Sequence, residues 1–321
     1  MADAAVSGGV TAAPVTREVV SFTSGGEHID AWFYPGEGAG PARRPCIVIG
    51  HGFAAVKEAR LDAFAERFAA AGFACLVFDY RHFGGSGGIP RQVIDIGEQR
   101  QDWAAALRYA RSLDRVDAER IGIWGTSFGG GLALEVAAKD AGVRAAVLQV
   151  PLVDSLAAGK YEGVGHTARI VLYGFRDLLH GLLRRKPYLV PVVGPPGSNA
   201  FMVTPEAEPG YFSIVRSAPS WRNEVAPRVI LSMGWFRPAR YAARVRCPVL
   251  FIVGERDTVT PPDATLAAAA KVRDVRVLKL PVGHFDAYLG EPFEQAVTAQ
   301  TDFFLQTLAA VSWNEGTESG R

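Results

Sequence analysis

Residues 119–139 read ERIGIWGTSFGGGLALEVAAK. The stretch opens as a short apolar run, passes through a cluster of small residues, and leaves with the spacing of a helix. Its centre is G-T-S-F-G, with Ser127 between Gly125 and Gly129. A serine in G-x-S-x-G between a strand and a helix sits on a sharp turn, because a Cβ at either glycine would clash with the neighbouring strand or helix. That turn pushes the hydroxyl above the carboxyl edge of a sheet. It also leaves the N–H of Phe128 at a helix N-terminus, where it can stabilise a developing oxyanion.

The elements on either side fit a sheet with crossover helices. Residues 17–25 and 28–36 are strand-like runs separated by a Gly-Gly turn, which predicts an antiparallel hairpin. Residues 45–52 (PCIVIGHG) form a buried-strand run, residues 57–72 a helix closed by Gly72, and residues 73–80 (FACLVFDY) another strand. Helix, strand, helix and strand then follow over 95–113, 120–125, 127–140 and 144–151. Near-continuous apolar strands alternating with amphipathic helices predict an α/β fold with a mostly parallel sheet covered on both faces.

The rhythm breaks between 154 and 245, a segment rich in aromatic, proline and basic residues whose helical pieces read as short. It resumes with a strand over 247–257, a helix over 261–272, a strand over 275–281 and a helix over 292–311. The expected organisation is a mobile start (1–17), a catalytic domain made of 18–153 and 246–312, an inserted lid (154–245) and a mobile tail (313–321). Within the insertion, residues 222–236 (RNEVAPRVILSMGWF) read as a helix packed back on the main domain.

A neutral serine hydroxyl is a weak nucleophile, so a base and an orienting acid are required. Of six histidines, His284 follows the last strand on a short loop and so shares the sheet edge with Ser127. Asp257 lies just past the preceding strand at the same edge. Glu255 and Asp286 compete with it, but Asp286 follows the histidine too closely to orient it easily. The order Ser, Asp, His, with both partners on loops after strands, suits acyl transfer through a covalent intermediate. The loop after residues 47–52 offers the N–H of Phe53 as a second oxyanion donor. His51 reads as a residue that holds this loop, and Asp79, Tyr80 and Arg81 as a buried charged cluster that braces it.

Composition narrows the classes. The 321-residue chain is 49% hydrophobic with a net charge of +1, which favours a globular protein with a small-molecule partner over a binder of nucleic acid or membrane. No targeting segment and no membrane-spanning run is legible, so a cytoplasmic location is expected. Cys46, Cys75 and Cys247 each lie in an apolar run and read as buried thiols in a reducing compartment. No metal-ligand spacing is present and no cofactor is expected. A homodimer stays open, with no isolated apolar face that compels it.

Taken together, "GHGF", "FDYRHFGGSGG", "GIWGTSFGGG", "CPVLFIVGERDTVTPP" and "GHFDAY" resemble the α/β-hydrolase superfamily over nearly the whole chain. Within it they look like the branch near dienelactone hydrolases and X-prolyl dipeptidyl peptidase-like domains, which includes hydrolases and acyltransferases of polyketide pathways. The resemblance implies a serine-nucleophile enzyme acting on an ester, thioester or activated acyl group. The serine departs from the cysteine of the dienelactone hydrolases proper. Three readings follow: a hydrolase for a medium-sized, largely apolar compound; an acyltransferase using the same Ser127, His284 and Asp257; and a non-hydrolytic protein on the same scaffold. Aromatic side chains of the insertion are candidates for the acyl pocket, among them Tyr161, Tyr211, Trp221 and Trp235. Arg184, Arg222 and Arg228 are either anion contacts or ordinary exposed charge.

Overall fold

The computed structural model describes residues 16–38 and 43–308. Nearly all of the expected start (1–17) and the whole expected tail (313–321) therefore lie outside the described residues. One sheet of eight strands organises the rest: β1 (Glu18–Ser24), β2 (Glu27–Tyr34), β3 (Arg44–Gly50), β4 (Ala74–Phe78), β5 (Val116–Thr126), β6 (Val143–Gln149), β7 (Val249–Gly254) and β8 (Val275–Leu280). Their spatial order is β1-β2-β4-β3-β5-β6-β7-β8. The first two form the expected hairpin, β2 runs antiparallel to β4, and every later pairing is parallel.

The central strands β3, β4 and β7 are apolar without alternation because helices cover both of their faces. These helices are α1 (Leu61–Ala70), α2 (Ile96–Ser112), α3 (Ser127–Lys139), α8 (Pro262–Ala269) and α9 (Gly290–Leu308). Phe64 and Phe68 of α1 interlock with Phe293 and Phe304 of α9 and with Trp124 of β5. Across the sheet, Trp103 of α2 packs edge-on to Phe78 and donates to the Tyr80 hydroxyl at 2.8 Å. The α1 helix ends in a Gly72 with φ 95°, a conformation that favours glycine. The three cysteines are free and buried, and burial pushes the Cys46 thiol up to about 12.

Between β6 and β7 the chain leaves the sheet and forms α4 (Ser155–Glu162), α5 (Val164–Leu182), α6 (Ala207–Ile214) and α7 (Ile230–Met233). Two expectations are corrected here. The insertion is not made only of short pieces, since α5 runs for 19 residues. Nor is 222–236 a helix: Pro227 opens a 3-10 turn, α7 adds one turn of α-helix, and Gly234 leads out of it. The segment still packs inward through Val225, Ala226, Pro227, Val229 and Phe236, the last stacked on Phe128, while Trp235 projects into solvent.

The α5 helix also presents Val164, Leu172, Phe175, Leu179 and Leu182 to solvent, an apolar face that corrects the expectation that no isolated one exists. Its opposite face, with Ile170, Gly174 and Asp177, packs inside the insertion. Among the described residues no helix is long and apolar enough to cross a membrane.

Candidate active site

Ser127 is the first residue of α3, directly after the last residue of β5. Its φ is +53°, left-handed backbone that a side-chain-bearing residue adopts only under constraint. The constraint is steric. A Cβ on Gly125 would fall 2.4 Å from the carbonyl oxygen of Gly129, and one on Gly129 would fall 2.1 Å from that of His51. The end of β3 closes in as well, since a Cβ on Gly52 would lie 3.3 Å from that of Ser127.

The histidine and aspartate candidates meet at the same edge. His284 Nδ1 lies 2.7 Å from Asp257 Oδ2, and the two residues are 2% and 3% exposed. The other carboxylate oxygen of Asp257 accepts the amides of Val259 and Thr260, at 2.8 and 2.6 Å. Thr260 Oγ1 stands 2.7 Å from Asp257 Oδ2 and 3.0 Å from the Val150 carbonyl. Of the competing acids, Glu255 is exposed and Asp286 accepts the amide of Gly283 at 2.8 Å, which stiffens the histidine loop.

Ser127, His284 and Phe53 all line one cavity, closed by Met202, Tyr211 and Ile214 of the insertion. Its volume is about 20 Å³, room for roughly one water-sized group. Phe128 is fully buried, stacked on Phe236 at 4.5 Å and set edge-on to Phe53 at 5.9 Å.

The loop after β3 is held by charge. Lys57 Nζ lies 2.7 Å from both Asp30 and Asp79, and the Lys57 amide donates to Asp79 at 2.6 Å. Burial pulls the Lys57 ammonium down, but the two carboxylates outweigh it and leave it raised. Arg81 Nε donates to Asp102 at 2.7 Å, so the Asp79–Arg81 cluster does brace this edge. His51 is fully buried: Nε2 accepts the Tyr80 amide at 3.3 Å and Nδ1 donates to the Gly52 carbonyl at 3.0 Å. Burial pushes its pKa down to about 4, so it is a neutral strut.

A family model described as alpha/beta hydrolase fold matches residues 45–291. The chain belongs to the alpha/beta hydrolase fold family. It is 42% identical over 259 residues to quorum-quenching protein AidA of Acinetobacter baumannii (strain MDR-ZJ06), covering 81% of this chain and 85% of that one. Polyketide transferase claH of Penicillium crustosum is 26% identical over 285 residues, covering 86% and 92%. A thiohydrolase of Eupenicillium brefeldianum is 27% identical over 298 residues, covering 89% and 93%.

The insertion of this hydrolase sorts the remaining candidates. Tyr211 lines the cavity, and its hydroxyl donates to the Phe53 carbonyl at 2.7 Å. Trp221 stacks on Tyr211 and donates to the Ala54 carbonyl at 3.1 Å, so it supports the loop from behind the cavity. Tyr161 and Trp235 are corrections, because they are 49% and 80% exposed and neither lines the cavity over Ser127. Trp235 instead borders a separate open groove of about 690 Å³ against residues 89–98. Arg228 pairs with the buried Asp177, Arg222 pairs with Glu224, and Arg184 is exposed.

Several residues of the site were given no role from the sequence, although three of them lie inside the quoted motifs. Lys57, Gly52, Thr260 and Tyr288 all serve it, the last by a hydrogen bond between its hydroxyl and that of Thr126. Lys57, outside those motifs, had a cue of its own as the first charged residue after the apolar run 53–56.

Proposed function

We propose that this α/β hydrolase cleaves an ester or thioester of a largely apolar small molecule through a covalent acyl-enzyme on Ser127. Ester- and thioester-cleaving activity is the coarse reading that fits its family and relatives. The observation that carries the finer one is Ser127 held at φ +53° in a cavity shared with His284, whose Nδ1 is bonded to Asp257.

In this mechanism His284 takes the Ser127 proton as Oγ attacks the acyl carbon. The N–H groups of Phe53 and Phe128 hold the oxyanion, and Asp257 fixes the imidazole tautomer. Collapse breaks the bond to the leaving alcohol or thiol, which takes the proton from His284. Water, deprotonated in turn by His284, then attacks the acyl carbon, and His284 returns that proton to Ser127 Oγ as the bond to the acyl group breaks and the acid leaves. Each oxyanion donor contributes on the order of 3 kcal/mol to lowering the barrier.

The cavity walls are apolar, with Ala55, Leu61, Met202, Ile214 and Val259 among them, which supports an apolar acyl group. At about 20 Å³, the cavity as it stands holds no such group, so in this reading the insertion is a lid that shifts to admit substrate. A second reading is acyl transfer to a bound alcohol or amine. It is supported by the likeness to a protein named as a polyketide transferase.

Mass-spectrometric mapping of a fluorophosphonate adduct tests the mechanism. We expect labelling at Ser127 that is lost in Ser127→Ala and falls at least about 100-fold in His284→Ala. A folded wild-type protein that resists both this reagent and small uncharged acylating agents would sink the proposal. Product analysis with and without an added acceptor separates hydrolysis from transfer.

A further inference from the structure

The α6 helix of the insertion touches both halves of the proposed machinery. At its start stands Glu206, whose side chain makes no cap to its own helix. The carboxylate reaches across to the two loops that carry Asp257 and His284. Oε2 accepts the backbone amide of His284 at 2.8 Å, and Oε1 accepts both the amide and the hydroxyl of Thr258, the neighbour of Asp257.

This approach depends on Gly283, where a Cβ would fall 2.4 Å from Glu206 Oε2. One turn further on, Gly210 packs so tightly on the Phe285 ring that a Cβ would fall 2.2 Å from it. Tyr211 then bonds the Phe53 carbonyl. A single short helix thus fastens the acid loop, the base loop and the loop of the proposed oxyanion donor.

We propose that Glu206 is a positioning residue: a carboxylate carried by the lid that holds His284 and the Asp257 loop in working register. Closure of the lid and assembly of the acid–base pair are then one event. Backbone bonds from Glu255 to Leu280 and from Arg256 to Val282 already join the loops at their bases. Glu206 acts beyond them, at the residues that flank the Asp257–His284 contact. Hydrogen bonds to a carboxylate are the strong kind, and misplacing a reacting group by about 1 Å costs on the order of 100-fold in rate.

The proposal rests on the Ser127–His284–Asp257 reading, and the test separates the two. Glu206→Ala, Glu206→Gln and Gly283→Ala are made in the full chain, with folding checked by circular dichroism and thermal melting. Fluorophosphonate labelling rates are measured beside kcat and KM on a short-chain nitrophenyl ester.

Glu206→Ala is expected to lower kcat and the labelling rate by about 10- to 100-fold with little change in KM. Glu206→Gln should fall between it and wild type, because one amide oxygen can serve one loop but not both. Gly283→Ala displaces an intact carboxylate and should reproduce the kcat loss; it carries the test if Glu206→Ala fails to fold.

Wild-type kinetics in folded variants, a loss confined to KM, or a loss that only tracks the folded fraction would each overturn the role of Glu206 while leaving Ser127 as nucleophile. A wild type that is not labelled at Ser127 removes the mechanism and this inference with it.

Discussion

Ser127 is held in a backbone conformation that costs on the order of 1–3 kcal/mol, and its surroundings leave it no way to relax. Glycine carries no such cost. Ser127→Gly should therefore abolish turnover while stabilising the fold by about 1 kcal/mol, seen as a melting temperature raised by a few degrees. A melting temperature that falls instead would mean that the serine side chain contributes more to packing than its backbone loses. The need for small residues here was legible, because glycines at 125 and 129 flank the serine. What they clear was not: Gly129 makes room for the carbonyl of His51, nearly eighty residues away in the chain.

Helix and strand positions followed from periodicity wherever elements pack on the sheet. The insertion was less legible, since its helices pack on one another and on loops rather than on a regular surface. The α5 helix is strongly amphipathic, but its apolar face points to solvent while His166, Gly174 and Asp177 lie on its packed face, so periodicity alone assigns the wrong side to the interior. The Pro227 and Gly234 that break up 222–236 outweigh the apolar residues between them. The loop after β3 shows the same limit for charge. Lys57 and Asp79 are separated by α1 and β4, and only the parallel pairing of β3 with β4 brings them together. Replacing Lys57 by Met would leave Asp79 buried without its cation, and we expect a loss of about 3–5 kcal/mol in urea unfolding. A loss below about 1 kcal/mol would show that the other bonds to Asp79 hold the loop on their own.

For the molecule as a whole, the buried His51 ties stability to pH. Its pKa is about 4 in the folded state, against roughly 6.5 when unfolded. Between these values the unfolded chain binds the proton and the folded chain does not, so stability rises with pH across the window. Going from pH 7 to pH 4 should remove roughly 3 kcal/mol through this group alone. Urea midpoints at pH 7 and pH 4.5 in wild type and His51→Gln would isolate it from the carboxylates. Equal pH dependence in the two proteins would place His51 outside the acid response. The sequence by itself determined the α/β class, the hairpin and crossover order, and the three residues proposed for chemistry, because each depends on local periodicity or on a loop that follows a strand. Strand order, the charged brace under the β3 loop, the near-closure of the cavity and the reach of Glu206 to His284 were decided only by tertiary structure. Each depends on a distance between residues far apart in the chain, and periodicity carries no information about such distances.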